Sequence, residues 1–255
     1  MYFYGMDYTY LIYVLPAIVL GLLAQTWVKS SFSKYNKVLS KKNISGAQAA
    51  QFLLRKNDIS DVKIAHIGGN LTDNFNPSNK ILSLSDSTFS SNSIAAIGVA
   101  AHETGHAIQH ATGYFPLKFR RTLVPVANFG SRFGPLLVIA GYILGANAYS
   151  SANAGVENSI LSVGNIGLFQ LLTYIGLILY AGAVLFSLVT LPVEFNASRR
   201  ALKILKETNV LDENELNGVR KVLSAAAMTY VASALTAVGN LVRILVLTRN
   251  RNNRR

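Results

Sequence analysis

The chain has no cysteine, only four histidines in 255 residues, and twelve acidic residues against twenty-four basic ones. The lack of thiols excludes a disulfide framework and any cysteine-based structural zinc site. A bound zinc would have to use imidazole and carboxylate ligands, the usual composition of catalytic sites. Charge is also scarce: 14% of residues are charged and 51% hydrophobic, which departs from a soluble globular composition. The shortage of acids leaves a net charge of +12. The basic residues are spread along the chain without aromatic interleaving or a binding motif, so lipid headgroups, not nucleic acid, are the expected counter-charges.

What the chain does have is long apolar runs. Residues 10–28 are nearly uncharged and as a helix span roughly 29 Å, the thickness of a bilayer core. A cleaved signal peptide needs a basic start, whereas the first eight residues carry only Asp7, so this run reads as a retained anchor. Residues 133–149 form a shorter, glycine-rich run edged by Arg132, and residues 166–191 are free of charge throughout. Residues 222–242 are alanine-rich and dotted with Ser224, Thr229, Ser233, Thr236 and Asn240. They either cross the membrane or lie buried against the other spans.

Charge between the spans sets orientation, because lysine and arginine are retained on the cytoplasmic side. Residues 29–122 hold twelve Lys or Arg and residues 150–165 none. The expectation is therefore a cytosolic segment 29–122, an external loop 150–165 and a second cytosolic segment 192–221. The basic tail, with Arg249, Arg251, Arg254 and Arg255, fits this scheme less well if 222–242 crosses once.

Within the first cytosolic segment stands His102-Glu103-Thr104-Gly105-His106, an H-E-x-x-H pattern following an apolar run of helical character. Imidazoles at i and i+4 lie about 6 Å apart along one helix face, so both can bind one Zn²⁺. Glu103 beside them is placed to take a proton from metal-bound water. Three of the four histidines, His102, His106 and His110, fall within nine residues. His110 lies one further turn on, too far to close on the same ion, and reads as a group behind the ligands, facing substrate, or on the surface. His66, in a loop-like Ala-His-Ile-Gly-Gly stretch, reads as an ordinary polar residue.

A third ligand must come from elsewhere on the same side of the membrane. Glu194, just past the third run, is separated from His106 by two crossings, and an even number returns the chain to the same face. It is expected near the start of a helix, after a bend at Pro192. Ser198, one turn on, shares its face and can hydrogen-bond a ligand histidine. Asn196 and Arg199 are candidates for substrate or the metal surroundings, and Tyr230 or Arg199 for stabilising an oxyanion. Upstream, residues 79–85 alternate as a short strand, expected at a sheet edge where an extended peptide can pair. Residues 44–57 read as a capped amphipathic helix.

With these residues in view, the chain from about Tyr8 onward resembles the YugP-like family of bacterial membrane zinc metallopeptidases. The resemblance rests on Ala101-His102-Glu103-x-Gly105-His106-Ala107-Ile108-Gln109-His110, on Leu191-Pro192-Val193-Glu194-Phe195-Asn196-Ala197-Ser198-x-Arg200-Ala201, and on Ala226-Ala227-x-Thr229-Tyr230-Val231-Ala232. One departure is Asn74-Phe75, where family members often carry His-Tyr. The resemblance implies a multi-pass protein of the bacterial cell membrane, with one Zn²⁺ per chain and a peptide or protein substrate, membrane proteins among them. The expected fold is mainly α: a single helical membrane domain over 1–255, with a gluzincin-like H-E-x-x-H site and a small β-sheet edge in its cytosolic part. The rival reading is a noncatalytic membrane scaffold that keeps the fold and binds unfolded segments.

Overall fold

The computed structural model describes residues 2–3, 6–153 and 166–252. It is mainly helical. After a two-residue pairing of β1 (Tyr2–Phe3) with β2 (Met6–Asp7) come α1 (Tyr8–Tyr13), α2 (Leu15–Tyr35), α3 (Gly46–Lys56), β3 (Lys63–Ile67), β4 (Asn74–Asn76), β5 (Ile81–Ser85), α4 (Ile94–Ala111), α5 (Phe115–Asn153), α6 (Ile166–Glu207) and α7 (Glu213–Asn252). Most of the expected external loop 150–165 lies outside the described residues. Among the described residues, four helices are long and apolar enough to cross a membrane: Leu15–Tyr35, Phe115–Gly145, Gly167–Glu207 and Glu213–Thr248. The run 222–242 belongs to the last of these and is one uninterrupted helix with its flanks.

The chain divides into two compact units. The first takes residues up to Val19, Arg120–Val189 and the chain from Ser233. Its helices approach through glycines: a Cβ on Gly130 would fall 2.0 Å from the Leu179 carbonyl oxygen, and one on Gly239 2.0 Å from that of Tyr13. Large apolar side chains such as Phe129, Ile139 and Ile178 stay exposed, the arrangement expected of a surface bathed in lipid. Pro125 and Pro135 lie inside α5 without ending it.

The second unit comprises Leu20–Phe119 and Thr190–Ala232. Its core gathers Leu53 and Leu54 of α3, Leu82 and Leu84 of β5, Ile94 and Ile97 of α4, Leu205 of α6 and Val219 of α7. The expected helix is present as α3, closed at its start by a capping box in which Ser45 Oγ accepts from Gln48 N and Gln48 Oε1 accepts from Ser45 N. Gly46 is obligatory there, since a Cβ would meet the Thr88 carbonyl oxygen at 2.3 Å. Ser93 Oγ caps α4 by accepting from Ala96 N.

Three local expectations are corrected. The strand at 81–85 is not an edge: β5 is the middle of a three-stranded sheet, parallel to β3 and antiparallel to β4. Alternation shows that Leu82 and Leu84 face a core, but it does not show neighbours, and both flanking strands come from stretches that look irregular. His66 therefore sits in β3, not in a loop. Pro192, in turn, starts no new helix; α6 runs through it, and Glu194 lies well inside. A proline removes one rung of the hydrogen-bond ladder without ending the helix, and α6 continues past it as α5 continues past Pro125 and Pro135.

Candidate metal centre

The site is assembled by α4 lying close against the end of α6. Gly105 makes this possible, because a Cβ there would stand 2.6 Å from the Ala197 carbonyl oxygen. Ala197 and Ala201 on the facing side are fully buried and add little bulk. At this spacing the short acid side chain of Glu194 reaches both histidines: its Oε2 lies 3.3 Å from His102 Nε2 and 3.5 Å from His106 Nε2. The imidazole rings are nearly perpendicular, with centroids 4.8 Å apart.

These separations can be tested against a metal. Ligands about 2.0–2.1 Å from a tetrahedral zinc stand about 3.4 Å from one another. Both carboxylate-to-imidazole separations match that edge, and the three donor atoms all lie within 4.8 Å of one another. Two neutral nitrogens and one carboxylate oxygen are the donor set of zinc sites that keep a fourth position open. The residues fit the ion.

Each of the two histidines is held from behind. Ser198 Oγ lies 3.1 Å from His102 Nδ1. Gln109, fully buried, places Oε1 3.0 Å from His106 Nδ1, while its Nε2 donates to the Val193 carbonyl at 2.8 Å and to Asn196 Oδ1 at 3.0 Å. Asn196 Oδ1 also accepts from Arg200 Nε at 2.8 Å, and the Arg200 guanidinium lies over the Tyr114 ring. Sequence reasoning gave no role to Gln109 or Arg200. The available signal was spacing: Gln109 is three residues after His106, on the same face.

Glu103 is buried next to the histidines. Burial pushes its carboxyl above the ordinary range, opposed by the two histidines and reinforced by the charges of Glu194 and Asp73. His106 is also raised. Its burial acts against the charged ring, but hydrogen bonding to Glu194 and the Glu103 charge outweigh it.

A cavity of about 410 Å³ opens onto His102 and Glu103. Its walls are mostly apolar, with Phe32, Val99, Val222 and Ala226. Tyr230 lines it as well, and Asp73 stands on the side of β4 with its carboxylate held by Ser85 N at 2.8 Å and Ser85 Oγ at 2.9 Å. Arg199 is exposed and is not among the residues lining the cavity. His110 lies outside the three-residue group and tilts against Phe75 of β4, centroids 5.9 Å apart. His66 pairs with Asp86 at 2.6 Å.

The family described as "Putative neutral zinc metallopeptidase" matches residues 10–249 of the chain. The chain is 41% identical over 236 residues to "Putative membrane protease YugP" of Bacillus subtilis (strain 168), covering 92% of this chain and 95% of that protein. No solved structure matches.

Proposed function

We propose, from the premise that the chain belongs to the neutral zinc metallopeptidase family, that it is an endopeptidase hydrolysing protein substrates at the cytosolic face of the membrane. The observation that carries this reading is Glu103, a buried carboxyl beside the His102, His106 and Glu194 group and open to the cavity. A scaffold has no use for a carboxyl buried among other ionisable groups, where desolvation works against its charge.

In this reading His102, His106 and Glu194 hold one zinc, which when bound polarises the scissile carbonyl and acidifies water. Glu103 takes the proton from the attacking water as the new C–O bond forms, then delivers it to the departing amine as the C–N bond breaks. Tyr230, with its side chain in the cavity, is the candidate for meeting the developing oxyanion. The apolar cavity walls suit a substrate with a large apolar side chain next to the scissile bond. The cytosolic placement rests on the basic residues of 29–122 and 192–221.

The test is made on detergent-purified full chain with a mixed synthetic peptide library as probe. Zinc by mass spectrometry is expected near one per chain, lost in His106→Ala and Glu194→Ala. Glu103→Gln is expected to keep zinc and lose cleavage by about 10²- to 10⁴-fold. A folded wild type without zinc, or undiminished cleavage by Glu103→Gln, overturns the reading.

A further inference from the structure

We propose that Arg200, Asn196 and Gln109 form a directional hydrogen-bond chain that positions His106, presenting its Nε2 and not its Nδ1 to the metal. This rests on the ligand set proposed above and adds positioning residues outside the H-E-x-x-H pattern.

The direction follows from what each group can do. A guanidinium only donates, so the Asn196 atom 2.8 Å from Arg200 Nε must be the side-chain oxygen. That oxygen receives one amide hydrogen of Gln109 at 3.0 Å, and the Val193 carbonyl, which can only accept, receives the other at 2.8 Å. Both Gln109 hydrogens are then committed, and its Oε1 is the atom facing His106 Nδ1 at 3.0 Å. An amide oxygen only accepts. His106 Nδ1 therefore carries a hydrogen whatever the charge of the ring, and in the neutral ring Nε2, 3.5 Å from Glu194 Oε2, is the nitrogen left with a lone pair for a metal.

His102 has no such instruction. Its Nδ1 faces the hydroxyl of Ser198 at 3.1 Å, and a hydroxyl donates or accepts equally well. One ligand histidine is oriented by a chain that ends on a fixed cation, the other by an adaptable group. The start of the chain is itself held, since Arg200 lies 5.8 Å from the Tyr114 ring centroid.

The experiment compares Asn196→Leu with Asn196→Asp in the detergent-solubilised full chain. The aspartate keeps an oxygen that accepts from both Arg200 and Gln109; the leucine, of similar shape, does not. Zinc affinity is read by competition with a chromophoric chelator, and ligand geometry by the visible spectrum of the Co²⁺ form. Asn196→Leu and Gln109→Leu are expected to weaken zinc by about 10- to 100-fold and change the Co²⁺ bands, with Asn196→Asp within about threefold of wild type. Wild-type affinity in Asn196→Leu, or equal losses in the two Asn196 variants, overturns the chain. Should Gln109→Leu fail to fold, the Asn196 pair decides alone. A wild type that binds no zinc overturns the ligand set and this inference together, whereas normal zinc with indifferent leucine variants overturns the inference only.

Discussion

In the apolar unit Gly130 stands where a Cβ would come 2.0 Å from the Leu179 carbonyl oxygen; in the other unit a Cβ on Gly105 would come 2.6 Å from that of Ala197. The two contacts are the same packing device with different consequences. Around the first, Ser187 donates its hydroxyl back to Ala183 of its own helix at 3.2 Å, Tyr180 meets Asn240 of α7, and no cluster of His, Asp or Glu forms among the described residues. Around the second, polar groups reach across: Gln109 to Val193 and Asn196, Ser198 to His102. Close approach there lets side chains as short as glutamate and serine meet a facing helix. Small residues bring helices together in both places, but a site forms only where the facing turns carry polar groups in phase.

Substituting the two glycines is the strongest way to break this comparison. Gly105→Ala is expected to push α4 from α6 and reduce zinc per folded chain at least about tenfold, alongside an overpacking loss of about 1–3 kcal/mol. Gly130→Ala should lose stability by a similar mechanism yet leave zinc per folded chain unchanged. Retained zinc in Gly105→Ala would show that the close approach does not assemble the site. Next in size is Ala226→Phe, which fills part of the cavity beside His102 and Glu103. It should cut kcat/KM by about 10- to 100-fold for peptides with a large apolar residue beside the cleaved bond, with zinc content intact.

Ser198→Ala tests the weaker of the two supports. Zinc affinity should fall by about tenfold, the low end for a group behind a ligand. A larger loss than in Gln109→Leu would reverse the ranking of the histidines.

The smallest effect concerns Asp86, whose carboxyl is held below its ordinary range by the Gly69 N–H and by His66. A folded-state value below the unfolded one stabilises above the unfolded carboxylate pKa of about 3.9 and is lost as pH falls through the folded value. Asp86→Asn should lower the thermal midpoint slightly at neutral pH, with the gap to wild type closing as the pH falls below the ordinary carboxylate range. Zinc and cleavage should not change, since the residue is not among those lining the cavity. A gap that persists in acid would place the stabilisation in something other than this ionisation.

Helical periodicity makes much of the candidate site legible from the sequence alone. It puts His102 and His106 on one face and Ser198 on the face of Glu194, and counting crossings brings Glu194 to the histidines' side. Periodicity within one helix does not say which face meets a neighbour, so Gln109, adjacent in phase to His106, gives no sign of being buried between α4 and α6. Asn196 and Arg199 are equally eligible in sequence, yet the helix turns Asn196 inward to Gln109 and leaves Arg199 outside. The sheet is harder to read for the same reason. Alternation in 81–85 identifies a half-buried strand, whereas its central place depends on Lys63–Ile67 and the three-residue Asn74–Asn76, too short or too mixed to announce themselves.

The five-letter pattern H-E-x-x-H leaves two positions blank, and in this fold neither is free. Thr104 is fully buried, with its hydroxyl donated to the Ala100 carbonyl at 2.9 Å, and the Ala197 carbonyl leaves no space for a side chain at position 105. The wildcards of the consensus are thus constrained letters: the fourth admits glycine, and the third admits only what fits a closed, dry space. Written with those letters, the signature carries far more information than its usual form. It would separate chains that can close a second helix over the histidines from solvated helices that match by chance.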